Sequence, residues 1–302
     1  MFVALGLIAL VAVAPFAVEL FRLDVAGRRA GLPGRLLPLS RGLTYVREFG
    51  PEDGAPYLLV HGLTTPSFVF DAIVPALVAR GHRVITYDHF GRGYSDRPRG
   101  LQDGRFYSSH INELRAALGI KGKIPMLGYS MGGAIVTDYA ARHPDQVSEL
   151  VLLAPGGMRA DLGGLTRQVM QVPLLGDWMM HAFYPRAHRA GTEAERSLEL
   201  QVDAIIDRQQ DELNYRGFVP AVLSSVRGIM ASPLRKEHSK IAAMDLPVTA
   251  IWGARDEVIP LSCKDMLSEW NSAVAHVVIA DAGHGLAYTH AEAVIAAIPE
   301  RG

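Results

Sequence analysis

Three residues far apart in the chain have the types and order needed to turn a serine into a nucleophile. Ser130 lies in Gly128-Tyr129-Ser130-Met131-Gly132, between an apolar run and a segment of helical period. The five-residue pattern is weak by itself, and its place at a strand-to-helix turn is what gives it a mechanism. A hydroxyl is a poor nucleophile at neutral pH, so a base must take its proton and a carboxylate must orient that base. The later sequence offers both in the required order. Asp256 stands in Trp252-Gly253-Ala254-Arg255-Asp256-Glu257-Val258-Ile259-Pro260, and His284 in Asp281-Ala282-Gly283-His284-Gly285. Ser130 is read as nucleophile, His284 as general base and Asp256 as its orienting acid, with Glu257 and Asp281 in reserve. His276 falls inside a strand pattern and His290 at the start of a helical one, which leaves glycine-flanked His284 as the better base.

A second loop supplies the remaining need. In Val60-His61-Gly62-Leu63-Thr64, a glycine turn lets the backbone N–H of Leu63 point where that of Met131 points, forming a two-donor oxyanion hole. His61 is read as structural. The segment from Tyr87 to Asp96 holds Gly91 and Gly93 but lacks the third glycine of a dinucleotide fingerprint. It is expected to shape the pocket wall, with Asp88, His89 and Ser95 in structural roles.

These residues need rigid carriers. From Gly42 onward, short apolar runs rich in β-branched and aromatic residues alternate with helical segments, the pattern of parallel strands joined by helices. Strands are expected at 43–49, 57–60, 83–87, 124–129, 150–154, 248–252 and 276–280, and helices at 70–80, 107–118, 131–142, 261–270 and 291–298. The carboxyl ends of parallel strands share one sheet edge, where residues distant in sequence converge. The alternation breaks over 156–235, an expected helical cap. There Leu198, Val202, Ile205, Ile206 and Leu213 make an apolar stripe opposite Glu199, Asp203, Asp207 and Asp211. Val172, Leu174, Leu175, Trp178, Met179, Met180 and Phe183 add a second apolar concentration, to seat the cap or to line an acyl pocket.

Composition removes other classes of function. The 302 residues are 49% hydrophobic and 20% charged, as in an ordinary globular protein, and 30 basic against 31 acidic residues leave no field for nucleic acid. The single cysteine, Cys263, excludes an internal disulfide and a cysteine-based metal cluster. Residues 2–18 carry no charge, a run of marginal length for a membrane span, which takes about 17–25 residues. The expected division is a hydrophobic segment at 1–20, a core at 42–155 and 236–302, and the cap at 156–235. Arg22, Arg28, Arg29, Arg35 and Arg41 follow the run, so membrane association through 2–18 would leave the catalytic domain on the cytoplasmic side. A signal cleaved near Ala12, Ala14 or Ala17, with export, is the alternative, although no basic residue precedes the run. A helix packed on the domain is the third reading.

Taken together, His61-Gly62, the 87–96 segment, Gly128 to Gly133, the Asp256 loop and Asp281 to Gly285 resemble the α/β-hydrolase superfamily over about residues 42–298. The likeness is closest to the capped branch of esterases, monoacylglycerol-lipase-like enzymes, carbon-carbon bond hydrolases and cofactor-free haloperoxidase-like proteins. It implies an eight-stranded, mostly parallel sheet with one antiparallel strand, a helical cap after the sixth strand, and acyl-enzyme chemistry on Ser130, Asp256 and His284. Serine rather than aspartate at 130 argues against the haloalkane dehalogenase and epoxide hydrolase relatives. The expected activity is cleavage of a small-molecule carboxylic ester with an apolar acyl or alcohol group, using neither metal nor organic cofactor. A carbon-carbon hydrolase, lactonase or thioesterase is the rival within the fold. A ligand-binding protein without catalysis is the rival outside it, and would need a broken triad.

Overall fold

The computed structural model describes residues 2–158 and 170–300. Eight strands, β1 (Arg35–Leu39), β2 (Gly42–Phe49), β3 (Ala55–Val60), β4 (His82–Tyr87), β5 (Ile124–Tyr129), β6 (Val147–Leu153), β7 (Val248–Gly253) and β8 (Ala275–Ile279), make one sheet ordered β1-β2-β4-β3-β5-β6-β7-β8. Its strands are parallel except β2, which runs antiparallel to both β1 and β4. β1 has no counterpart in the sequence reading. Its Pro38 interrupts the apolar pattern and removes a ladder donor, which an edge position tolerates, and β1 pairs only with β2.

The helices are α1 (Phe2–Leu20), α2 (Val74–Ala79), α3 (Gly104–Ala117), α4 (Met131–Arg142), α5 (Leu175–Ala194), α6 (Ile205–Asp211), α7 (Phe218–Arg227), α8 (Arg235–Ala242), α9 (Ser262–Trp270), α10 (Leu286–Thr289) and α11 (Ala291–Ala297). The helix expected at 70–80 divides into a 3-10 turn at Ser67–Phe70 and the shorter α2. α3 starts where the Asp103 carboxylate accepts the Phe106 N–H at 2.9 Å, and it buries Phe106, Tyr107, Ile111 and Leu114.

Strand side chains alternate between two cores. Leu58, Val60, Met126, Leu150 and Trp252 join Tyr107, Ile111, Val136 and Leu267 on one face, while Leu59, Leu127, Val151 and Ile251 join Ile73, Leu77 and Val294 on the other. Burial on both faces explains why the central strands read as unbroken apolar runs. Each fully buried Leu or Ile contributes about 1.5–3 kcal/mol to holding the sheet edge rigid.

Between β6 and α8 the described residues form helices joined by turns, without a strand, and residues 159–169 of the expected cap lie outside them. The apolar stripe from 198 to 213 is not one helix. The chain breaks at Ala204, which takes a left-handed φ of 50°. The Gln201 N–H bonds to the Tyr288 carbonyl at 2.7 Å, and the Gln201 side chain accepts the Ala291 N–H at 2.6 Å. Those contacts tie the segment to the core, so Val202, Ile205 and Ile206 pack beside Tyr288, whereas Leu213 joins Met180, Phe218, Val219, Val222 and Leu223 in a separate cap cluster. Fully buried Glu212 locks the cap to its surroundings: it pairs with Arg28 and Arg97 and accepts the Gly93 N–H at 2.8 Å.

Among the described residues no helix is long and apolar enough to cross a membrane. α1 is mounted on the cap. Its root is fixed by the Phe16 ring edge-on to His181 at 5.3 Å and by the Trp178 indole N–H on the Val11 carbonyl at 3.1 Å. The Glu19 carboxylate accepts the Gly217 N–H at 2.5 Å and pairs with Arg22 at 3.0 Å. Burial pushes the Glu19 carboxyl above its ordinary range, and the Gly217 and Arg22 contacts oppose that rise.

Candidate active site

Strand order determines where a ligand can sit. From β3 the chain steps to β4 on one side and then to β5 on the other, so the loops leaving β3 and β5 diverge and open a crevice at their carboxyl ends. Val60 pairs with Gly128 at that end, which sets the Gly62-Leu63 turn against Ser130. A Cβ added at Gly62 would lie 3.2 Å from the Ser130 Cβ.

Ser130 joins β5 to α4 with φ 53° and ψ −119°, a conformation that non-glycine residues rarely adopt. Three backbone bonds hold it there: its N–H to the Leu153 carbonyl at 2.9 Å, and its carbonyl accepting Gly133 at 2.9 Å and Gly156 at 2.8 Å. The turn also presses α4 onto β3, because a Cβ at Gly132 would stand 1.9 Å from the Val60 carbonyl oxygen. The strain predicts a trade between stability and chemistry. Ser130→Gly is expected to raise stability by about 1 kcal/mol, seen as a higher Tm in a thermal melt, while Ser130→Ala gives no such rise.

The structure brings Asp256 and His284 to this serine from the loops after β7 and β8. His284 Nε2 lies 3.0 Å from Ser130 Oγ, and His284 Nδ1 lies 2.8 Å from Asp256 Oδ2. A carboxylate only accepts, so Nδ1 carries the proton and Nε2 turns a lone pair toward the hydroxyl. The Asp256 side chain is wholly buried, and its Oδ1 accepts the N–H groups of Val258 at 2.8 Å and Ile259 at 2.7 Å. Tyr129 donates its hydroxyl to the His284 carbonyl at 3.0 Å and steadies that loop from the sheet side.

The reserve residues lie elsewhere. Glu257 is exposed, and Asp281 pairs with Arg255 at 2.7 Å. His276 bonds the Trp252 indole N–H and the Ser268 hydroxyl, each at 3.0 Å, and His290 bonds the Thr289 hydroxyl at 2.9 Å. A cavity of about 330 Å³ opens beside His284, lined by Glu195, Leu198, Arg255, Asp281 and His290 among others.

His61 sits under the β3 turn, fully buried, with Nδ1 2.9 Å from the Gly62 carbonyl and Nε2 accepting the His89 N–H at 2.9 Å. Burial, reinforced by the nearby Arg92 cation, pushes it well below the usual histidine range, so it stays neutral. Asp88 accepts the Ser67 and Tyr94 N–H groups at 2.9 Å each, and Ser95 donates its hydroxyl to the Asp88 carbonyl at 2.7 Å. These bonds shape the 87–96 loop.

Arg92 escaped the sequence reading. It is completely buried, and its guanidinium donates to the Leu63 carbonyl at 3.0 Å, to Gln102 and to the cap residue Ser225 at 2.7 Å. The cation thereby grips the peptide that presents the Leu63 turn and ties it to α7. Only its position between two glycines in the 87–96 loop marked it in the sequence. Nothing there distinguishes a buried arginine from an exposed one.

The α/β-hydrolase fold family model matches residues 56–291, and the chain belongs to that family. The hydrolase LipZ of Mycobacterium tuberculosis is 26% identical over 269 residues, covering 83% of this chain and 89% of its own. A cis-3-alkyl-4-alkyloxetan-2-one decarboxylase of Shewanella oneidensis is also 26% identical, over 84% of this chain and 83% of its own. The crystal structure of a thermophilic esterase from Thermogutta terrifontis superposes with a TM-score of 0.71 at 21% identity, covering 88% of this chain and 97% of that one.

Proposed function

We propose that the protein is a serine hydrolase that cleaves carboxylic esters through an acyl-enzyme on Ser130. The observation that carries this reading is the unbroken chain of contacts from Ser130 Oγ through both nitrogens of His284 to a buried carboxylate, at 3.0 and 2.8 Å. Ser130 attacks the carbonyl carbon as His284 Nε2 takes its proton. The N–H groups of Leu63 and Met131 stabilise the oxyanion, Met131 being the first residue of α4, where N–H groups have no intrahelical acceptor. The imidazolium returns its proton to the leaving alcohol, and a water repeats the sequence to free the acid.

An apolar acyl or alcohol group is favoured because Leu63 and Tyr184 pack against the cap cluster of Met180, Leu213, Phe218, Val219, Val222 and Leu223. The Shewanella relative is named for a reaction on a four-membered lactone ring, which supports strained lactones as a second substrate class.

The test is a panel of nitrophenyl esters of increasing acyl length with β-lactones and thioesters, run beside labelling by a fluorescent alkyl phosphonate. Ester turnover that rises with acyl length, and a label mapped to the peptide bearing Ser130, are expected. An unlabelled protein that turns over none of the panel sinks the reading and leaves the ligand-binding alternative.

A further inference from the structure

α1 presents an apolar surface of a kind that a folded domain does not ordinarily leave in water. Phe2 is 84% exposed, and Leu5, Leu7, Leu10, Val11 and Val13 are each 55–65% exposed. At about 100° per residue these side chains spread over roughly two-thirds of the helix circumference. A protein partner covers one stripe of a helix, whereas a helix apolar on most sides calls for an apolar medium. We propose that α1, together with the outward side of α5, is a docking surface for a phospholipid membrane, with residues 2–13 entering the hydrocarbon of one leaflet.

The dimensions agree. Twelve helical residues are about 18 Å long, close to half of a hydrocarbon core of about 30 Å. The apolar surface continues onto the cap, where Leu174, Leu175 and Phe183 are 79%, 50% and 57% exposed. Between the two helices lies a groove of about 430 Å³ lined by Leu7, Val11, Ala12 and Trp178, without a charged group, which suits a lipid acyl chain. One turn beyond Phe183 on α5, Arg186 is exposed, within reach of the headgroup phosphates that border such a layer.

The mounting of α1 makes this a fixed surface. The Trp178 indole bond to the Val11 carbonyl, the Phe16–His181 contact and buried Glu19 hold the root of the helix on the cap. α5 also carries Met180 and Tyr184 in the cluster that packs on Leu63. The helix that meets lipid on one side therefore packs on the other against the apolar cluster that reaches Leu63.

Docking goes beyond the hydrolase reading and does not depend on it, so it is scored without turnover, on the full chain and on Ser130→Ala alike. Flotation with phosphatidylcholine–phosphatidylglycerol vesicles is expected to carry both to the lipid fraction. Leu7→Glu/Leu10→Glu is expected to lose at least about tenfold in partition, while its far-UV circular dichroism and its Tm stay those of wild type, as for exposed positions. Phosphatidylcholine brominated on its acyl chains is expected to quench wild-type fluorescence, and Trp178→Phe to lose most of that quenching. This readout decides the matter if the double variant fails to fold. Wild-type protein that neither floats nor is quenched overturns the proposal, as does a double variant that floats like wild type. A dimer that ignores vesicles and is dissociated by the double substitution also overturns it, assigning the surface to a second copy of the chain.

Discussion

Ser130→Ala is expected to lower kcat/KM toward any ester the protein hydrolyses by about 10⁴ to 10⁶, and Asp256→Asn by about 10⁴. The two losses have different origins. On the proposed mechanism alanine removes the atom that would form the acyl-enzyme, leaving only what the N–H groups of Leu63 and Met131 would accomplish with water. Asparagine keeps the shape and changes the proton. Asp256 Oδ1 is engaged by the N–H groups of Val258 and Ile259, so the amide places its oxygen there and turns its NH₂ toward His284. Nδ1 must then accept, the proton moves to Nε2, and Nε2 has no lone pair for the Ser130 hydroxyl 3.0 Å away. Asp256→Ala imposes no tautomer and is expected to be the milder lesion. Steady-state kinetics on one good ester, with folding checked by circular dichroism, separates the three variants. A Ser130→Ala enzyme within tenfold of wild type, or an asparagine variant more active than alanine, would refute this account.

Acidification is expected to unfold the protein steeply below about pH 6, because four histidines are buried away from acid. His61, His89, His110 and His238 are all 2% exposed or less. Burial is the largest influence in each case, pushing His110 down to about 3, His238 to about 4, and His61 and His89 well below the usual 6.5. Between those values and about 6.5 the unfolded chain binds protons that the native state refuses, so unfolding free energy falls as pH falls. Each such site costs up to about 1.4 kcal/mol per pH unit, and four together about 5, against a total stability of about 5–15 kcal/mol. Among the described residues neither ring nitrogen of His238 has a hydrogen-bond partner, which makes it the cleanest probe. His238→Leu is expected to flatten the slope by about a quarter and to gain about 2 kcal/mol on wild type between pH 7.5 and pH 5. Urea titrations at several pH values measure both slopes, and equal slopes would remove His238 from the explanation.

Legibility in the sequence followed the range of the forces involved. β5 and α4 begin and end where the apolar run and the glycines of 124–142 place them, since both signals are local. β1 was not legible, because Pro38 breaks the apolar pattern that an edge strand can do without. The apolar residues of 198–213 followed one period through Ala204, and contacts of Gln201 with α10 and α11 broke it. Arg92 showed no pattern at all, since its four acceptors come from Leu63, Phe90, Gln102 and Ser225, on three separate stretches of chain.

By itself, the sequence determined the family, the alternation of strands and helices, and the order in which serine, acid and histidine follow strand ends along the chain. Each of these rests on residue type and on neighbours a few positions away. Only the tertiary structure decided which carboxylate meets His284, which cation grips the Leu63 turn, and that α1 stands on the cap beside α5. Those outcomes depend on packing between segments up to about two hundred residues apart, where burial and hydrogen-bond satisfaction select among candidates that sequence spacing leaves equal.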